Sequence, residues 1–130
     1  MILIIDNYDS FTFNLVQYIG SICNDIEVIK DDAKSIKDLL KKEYTHIILS
    51  PGPGRPENTK LCNDIIKTVS KKIPTLGICL GHQAIAYNFG ASIDYSKYIM
   101  HGKTSVIIHN NTSKLFKGIP KEFNGTRYHS

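Results

Sequence analysis

Pro74-Thr75-Leu76-Gly77-Ile78-Cys79-Leu80-Gly81-His82-Gln83 reads as a buried strand that turns sharply into a helix, with a cysteine at the corner. Gly77 and Gly81 bracket Cys79 in a Gly-x-Cys-x-Gly frame, the cysteine form of a nucleophile elbow. Such a corner is strained, and flanking glycines remove the Cβ atoms that would clash there. It sets the thiol at the positive end of the following helix, where negative charge is stabilised. The N–H of Leu80 then becomes a donor for a developing oxyanion. Lone cysteines in apolar strands are more often packing residues, so the elbow needs a second signal.

That signal is Ile47-Ile48-Leu49-Ser50-Pro51-Gly52-Pro53-Gly54. An apolar run ends in a rigid loop of alternating proline and glycine. Proline fixes φ and removes a donor, while glycine opens space beside the backbone. The N–H of Gly52 or Gly54 can meet a ligand with no side chain in the way. By itself the loop is equally an ordinary strand-to-helix turn.

Short apolar runs alternate with helix-period segments along the whole first part of the chain. Strands are expected at residues 1–5, 26–29, 46–49 and 75–78. Phe11, Leu15, Ile19 and Ile22 recur at helical spacing; Cys62, Ile65, Ile66 and Val69 mark another helix, and a further one runs from the elbow to about Gly90. Ser35 and Asp38 make a capping-box-like start for a short helix. Unbroken apolar strands between helices imply α/β architecture, a mostly parallel sheet with helices on both faces. In such sheets ligands bind beyond the carboxyl ends of the strands. Asp6, the Gly52–Gly54 loop and Cys79 all fall at those ends. After Gly90 the pattern changes: a strand is expected at residues 106–108, a turn at His109-Asn110-Asn111, and one helical turn at Leu115-Phe116.

The 130 residues, 42% of them hydrophobic, suit one domain spanning 1–130. The net charge of +4 is carried by scattered lysines, with no basic run interleaved with aromatics, which argues against nucleic acid. The apolar start stops at Asp6, too short for a signal peptide or a spanning helix. Three cysteines, Cys23, Cys62 and Cys79, with no Cys-x-x-Cys spacing argue against disulfides and a zinc ribbon and for a reducing compartment, the cytoplasm or a plastid stroma. Asp6 and Asp9 in one loop read as hydrogen-bond acceptors shaping it rather than metal ligands, and no metal is expected.

Taken together, Leu49 to Gly54 and Gly77 to Gln83 resemble the class I glutamine amidotransferases. Asp6-Asn7-Tyr8-Asp9-Ser10-Phe11-Thr12, His101-Gly102-Lys103 and Arg127-Tyr128-His129-Ser130 narrow the resemblance to the anthranilate synthase and aminodeoxychorismate synthase branch. It runs from Met1 to Ser130 and implies a flavodoxin-like fold, no cofactor, and glutamine hydrolysis through a cysteine thioester. Ammonia would pass to a chorismate-binding large subunit, for tryptophan or, alternatively, folate biosynthesis. The resemblance assigns Cys79 as nucleophile and the N–H groups of Leu80 and Gly52 to the oxyanion. Gly52, Pro53, Gly54, Gln83 and Ser130 are assigned to substrate.

The resemblance also implies a His-Pro-Glu segment, carrying general base and orienter, well after Ser130. No His-x-Glu occurs in residues 1–130. The expectation is therefore a chain lacking its C-terminal part, weak or inactive by itself, with an enzyme as the full-length form. His82, three residues from Cys79, reads as a local packing group, and His46, His101, His109 and His129 are not expected to replace the base. A non-catalytic binding module stays open as another reading. A phosphate- or flavin-binding domain is disfavoured because residues 6–12 contain no glycine. A phosphorelay receiver is disfavoured because the third strand ends in Ser50, not aspartate.

Overall fold

A computed structural model describes residues 1–129. They fall into two compact units, Met1–Ile93 and a second from Asp94 onward. In the first, β1 (Ile2–Asp6), β2 (Ile26–Lys30), β3 (His46–Leu49) and β4 (Thr75–Gly77) form one parallel sheet in the order β2-β1-β3-β4. The helices are α1 (Thr12–Gly20), α2 (Ile36–Leu39), α3 (Leu61–Thr68) and α4 (Leu80–Asn88). The chain steps one way from β1 to β2 and the other way from β2 through β3 to β4. Right-handed crossovers then put α1 on one face and α2 and α3 on the other.

The register explains the core. Leu3 pairs with Ile47, and Ile5 with Ile29 and Leu49. These residues pack with Leu39, Leu61, Cys62, Ile65, Ile66, Val69 and Ala84 in one buried cluster beneath α2, α3 and α4. The opposite face carries the row Val28–Ile4–Ile48–Leu76. Ile4 and Ile48 are buried, while Val28 and Leu76 at the row's ends are 44% and 38% exposed. On that side α1 buries only its first residue, Thr12; Leu15, Val16 and Ile19 are half-buried. Phe11 and Ile22, read as part of that helix, lie beyond its ends and are exposed.

Helix α3 starts without a capping side chain of its own. Asp31, just past β2, supplies the cap: its carboxylate accepts the N–H groups of Lys60 at 2.7 Å and Cys62 at 2.8 Å. Ser35 caps α2 as its sequence suggests, accepting the Asp38 N–H at 3.2 Å.

The second unit is an antiparallel ribbon of β5 (Met100–Ile108) and β6 (Glu122–His129). β5 starts well before the expected residues 106–108. Its His101-Gly102-Lys103 segment is a register shift, with Gly102 at φ 88°, a conformation glycine adopts without strain. β6 has no counterpart in the sequence reading. The ribbon's turn is built around His109, whose ring stacks on Phe116 at 4.7 Å and meets the Pro120 carbonyl at 2.7 Å. Among the described residues no helix is long and apolar enough to cross a membrane.

Candidate active site

Cys79 sits between β4 and α4, immediately before the first helical residue, with φ 52° and ψ −109°. A non-glycine residue at positive φ costs on the order of 1–3 kcal/mol and persists only where its surroundings enforce it. The enforcing contacts are visible. The Ile78 N–H donates to the Leu49 carbonyl at 3.0 Å, tying the corner to the end of β3. Gly81 N–H returns to the Ile78 carbonyl at 3.0 Å, and Gln83 N–H to the Cys79 carbonyl at 2.9 Å. A Cβ on Gly81 would lie 2.3 Å from the Leu49 carbonyl oxygen, and one on Gly77 would lie 2.5 Å from the backbone of Gly81. The two glycines thus let α4 press directly on β3 and β4. Cys79 is left exposed.

The first N–H groups of a helix have no intrahelical acceptor and attract negative charge. Leu80 is the first residue of α4, so its N–H belongs to that set. Gly52 lies against the same residue: a Cβ there would be 3.1 Å from Leu80 Cδ2, 2.5 Å from Asn7 Cβ and 2.6 Å from the Asn7 carbonyl oxygen. The proline–glycine loop and the elbow therefore meet, as the placement at strand ends predicts. Gly54, at φ 84°, has open space around it. Asn7, Tyr8, Asp31, Pro53, Gly54 and Leu80 help line a cavity of ≈ 370 Å³; Cys79 is not among its lining residues.

The loop before the cavity is built as expected. Asp6 accepts from Thr12 Oγ1 at 2.9 Å and from the Asp9 N–H at 3.3 Å, and Asp9 accepts from the Phe11 N–H at 3.1 Å. Tyr8 holds φ 61°, its hydroxyl donating to Asp32 and Lys30 Nζ lying 4.4 Å from its ring centroid.

The other cysteines differ sharply. Cys62 is fully buried, and burial, followed by the Asp31 carboxylate, pushes its thiol well up from the ordinary range. Cys23 lies in the segment after α1 and is partly exposed. His82 is exposed on α4. His129 accepts from Arg127 Nε at 3.0 Å within β6, and His46 is exposed beside Thr45. Ser130, expected at the substrate, lies outside the described residues.

A network absent from the sequence reading supports the site. Asn7 donates its backbone N–H to Ser50 Oγ and its side-chain amide to the Ser50 carbonyl, both at 2.9 Å, and its Oδ1 faces Cys62 Sγ at 3.4 Å. The one hint was chemical: Asn7 and Ser50 are small polar residues ending apolar strands, where buried polar groups need partners.

A cysteine at positive φ on a strand-to-helix corner, beside a glycine-bearing loop, is the geometry of a nucleophile elbow, a corner found in α/β enzymes. The glutamine amidotransferase class-I family model matches residues 3–130, and the chain belongs to that family. It is 50% identical over its whole length to anthranilate synthase component 2 of Pyropia yezoensis, spanning 68% of that protein. It is 49% identical to bifunctional protein TrpGD of Thermotoga maritima, with 99% of this chain matching 22% of that one. A solved glutamine amidotransferase of Thermotoga maritima superposes with a TM-score of 0.83 at 22% identity, covering 99% of this chain and 60% of the other, a likeness of fold.

Proposed function

We propose that the chain is the glutamine-hydrolysing component of anthranilate synthase, working beside a chorismate-using subunit to which it supplies ammonia. The observation that carries the reading is the elbow itself: Cys79 at φ 52° ahead of α4, with Gly52 packed on Leu80. The relatives named for anthranilate synthase support the pathway. Residues 1–130 are read as part of one amidotransferase domain in the cytoplasm.

In this reading the Cys79 thiolate adds to the side-chain carboxamide carbon of glutamine. The carbonyl π electrons move to oxygen, and the N–H groups of Leu80 and Gly52 hold that oxyanion. Collapse breaks the C–N bond; the nitrogen takes a proton and leaves as ammonia, and a thioester remains. Water then adds to the thioester carbon, the C–S bond breaks, and glutamate departs as the thiol regains its proton. Pro53, Gly54, Gln83 and Ser130 line the substrate. The proton-transfer group is a histidine outside residues 1–130.

The test is glutamate release by the full-length protein with its partner. Cys79→Ala is expected to lower it at least about a thousandfold, and hydroxylamine should trap a γ-glutamyl hydroxamate from the unaltered enzyme. Full activity in Cys79→Ala would reject the reading.

A further inference from the structure

We infer that Asn7 is a positioning residue for the oxyanion loop, held in turn by the buried first turn of α3. The inference rests on the function proposed above and extends it to a residue outside the proposed catalytic and substrate-binding set.

Three observations converge on Asn7. It is 6% exposed, at the end of the central strand β1. Its amide donates to the Ser50 carbonyl, which fixes the peptide plane joining Ser50 to Pro51, two residues before Gly52. Its own Cβ and carbonyl oxygen occupy the space in which a Gly52 Cβ would sit, so Gly52 rests directly on Asn7. Ser50 closes the arrangement: its Oγ accepts the Asn7 N–H and donates to the Pro51 carbonyl at 2.7 Å. Thus the loop is pinned from beneath at two successive carbonyls.

The pin is itself anchored. Cys62 donates its thiol to Asn7 Oδ1 and its backbone N–H to Asp31. This orients the Asn7 amide with its NH₂ towards Ser50. Every member of the path Asp31–Cys62–Asn7–Ser50 is buried. Inside a low-dielectric interior such chains hold one geometry, because each broken link leaves an unpaired polar group. Geometry matters here: an oxyanion donor acts only at 2.7–3.1 Å, and displacing it by about 1 Å can cost about a hundredfold in rate.

The experiment uses the full-length protein with its chorismate-using partner. Asn7→Asp keeps size and shape but replaces the amide donor by an oxygen facing the Ser50 carbonyl. Glutamine hydrolysis should lose about ten- to a hundredfold in kcat, with KM moving less than about threefold. The aldehyde analogue of glutamine separates positioning from mere folding. The Cys79 thiolate adds to its carbonyl carbon, the C=O π electrons move to oxygen, and the tetrahedral oxyanion so formed needs the oxyanion donors. Aldehyde affinity should fall by the same factor as kcat, while the rate of Cys79 alkylation stays unchanged.

Unchanged kcat in Asn7→Asp overturns the inference, and so does alkylation falling in step with kcat. Should Asn7→Asp not fold, Cys62→Ala frees Asn7 Oδ1 without touching the loop. Weaker aldehyde binding with unchanged alkylation then supports the inference; unchanged binding refutes it. Cys79→Ala runs in parallel. If it stays active, the proposed function fails; if it is inactive and Asn7→Asp is not impaired, only the clamp fails.

Discussion

Gly81 of the elbow and Gly54 of the loop ought to answer to the same substitution in different ways. Gly81 has no space for a side chain, since its Cβ would meet the backbone oxygen of Leu49, which cannot swing aside. Gly81→Ala should cost at least about 3 kcal/mol, the upper range of overpacking, or prevent folding. Gly54 has nothing around it and only its positive φ to defend, so Gly54→Ala should cost about 1 kcal/mol of backbone strain. Urea denaturation of both variants checks the contrast, and equal losses would contradict it. At the same scale, brief alkylation of folded protein should label Cys79 first. It is exposed, whereas Cys62 is fully buried with its thiol pushed up by burial and by Asp31. Peptide mass spectrometry reads the order, and preferential labelling of Cys62 would contradict the site.

Strand β2 is tied to the segment before β3 by a polar cluster. The Tyr44 hydroxyl donates to Glu27 at 2.8 Å, and Lys42 Nζ lies 3.1 Å from the same carboxylate. The Tyr44 bond, then Lys42, holds the Glu27 carboxyl below its usual range. Burial, then Glu27, pushes the Tyr44 phenol up to about 12. A lowered carboxylate contributes stability above its unfolded value and loses it as pH falls through the folded one. A raised phenol contributes below its unfolded value and loses it as pH climbs through the folded one. Tyr44→Phe should therefore cost about 1 kcal/mol at pH 7, and that difference should shrink in acid, as pH falls through the lowered range in which Glu27 takes up its proton. Denaturation curves at pH 7 and in acid measure it, and a pH-independent loss would rule out the Glu27 contact as its source.

This level also marks what was legible. The central strands β1 and β3 are apolar runs buried on both faces, and that burial writes itself into composition; β2 and β4, at the sheet's edges, carry the pattern more weakly. β6 was not legible. Its half-buried positions are Phe123, Gly125, Arg127 and His129, only one of them apolar, so the period of two carries no hydropathy signal. The elbow and loop were legible because glycine and proline declare backbone demands directly. The Asn7–Ser50–Cys62 path was not, since its bonds join positions far apart in the chain and none of its residues is unusual where it stands.

For the whole molecule, the division of labour is the testable matter. Residues 1–130 hold the proposed nucleophile and the loop beside it, and no His-x-Glu. General acid–base catalysis supplies roughly two to four powers of ten in rate. A 1–130 protein, its folding verified by protected Cys62 and reactive Cys79, should release glutamate slower than the full-length form by about that factor. Equal rates would place the base within this chain, and His82→Asn and His129→Asn would be the first substitutions to make. Full-length protein should also respond to its partner, hydrolysing glutamine faster with one chorismate-using synthase than alone. The synthase that accelerates it decides between the tryptophan and folate branches.

The Asn7–Ser50 bond spans 43 residues and the Asp31–Cys62 bond 31. Contacts of such long range close only after the entropy of the intervening chain has been surrendered. The loop above them therefore sets only once β1, β3 and α3 have come together, not while each forms alone. Asn7, Asp31, Ser50 and Cys62 all precede Cys79 in the chain, so every member of the clamp leaves the ribosome before the cysteine does. The support for the corner is synthesised ahead of the corner itself.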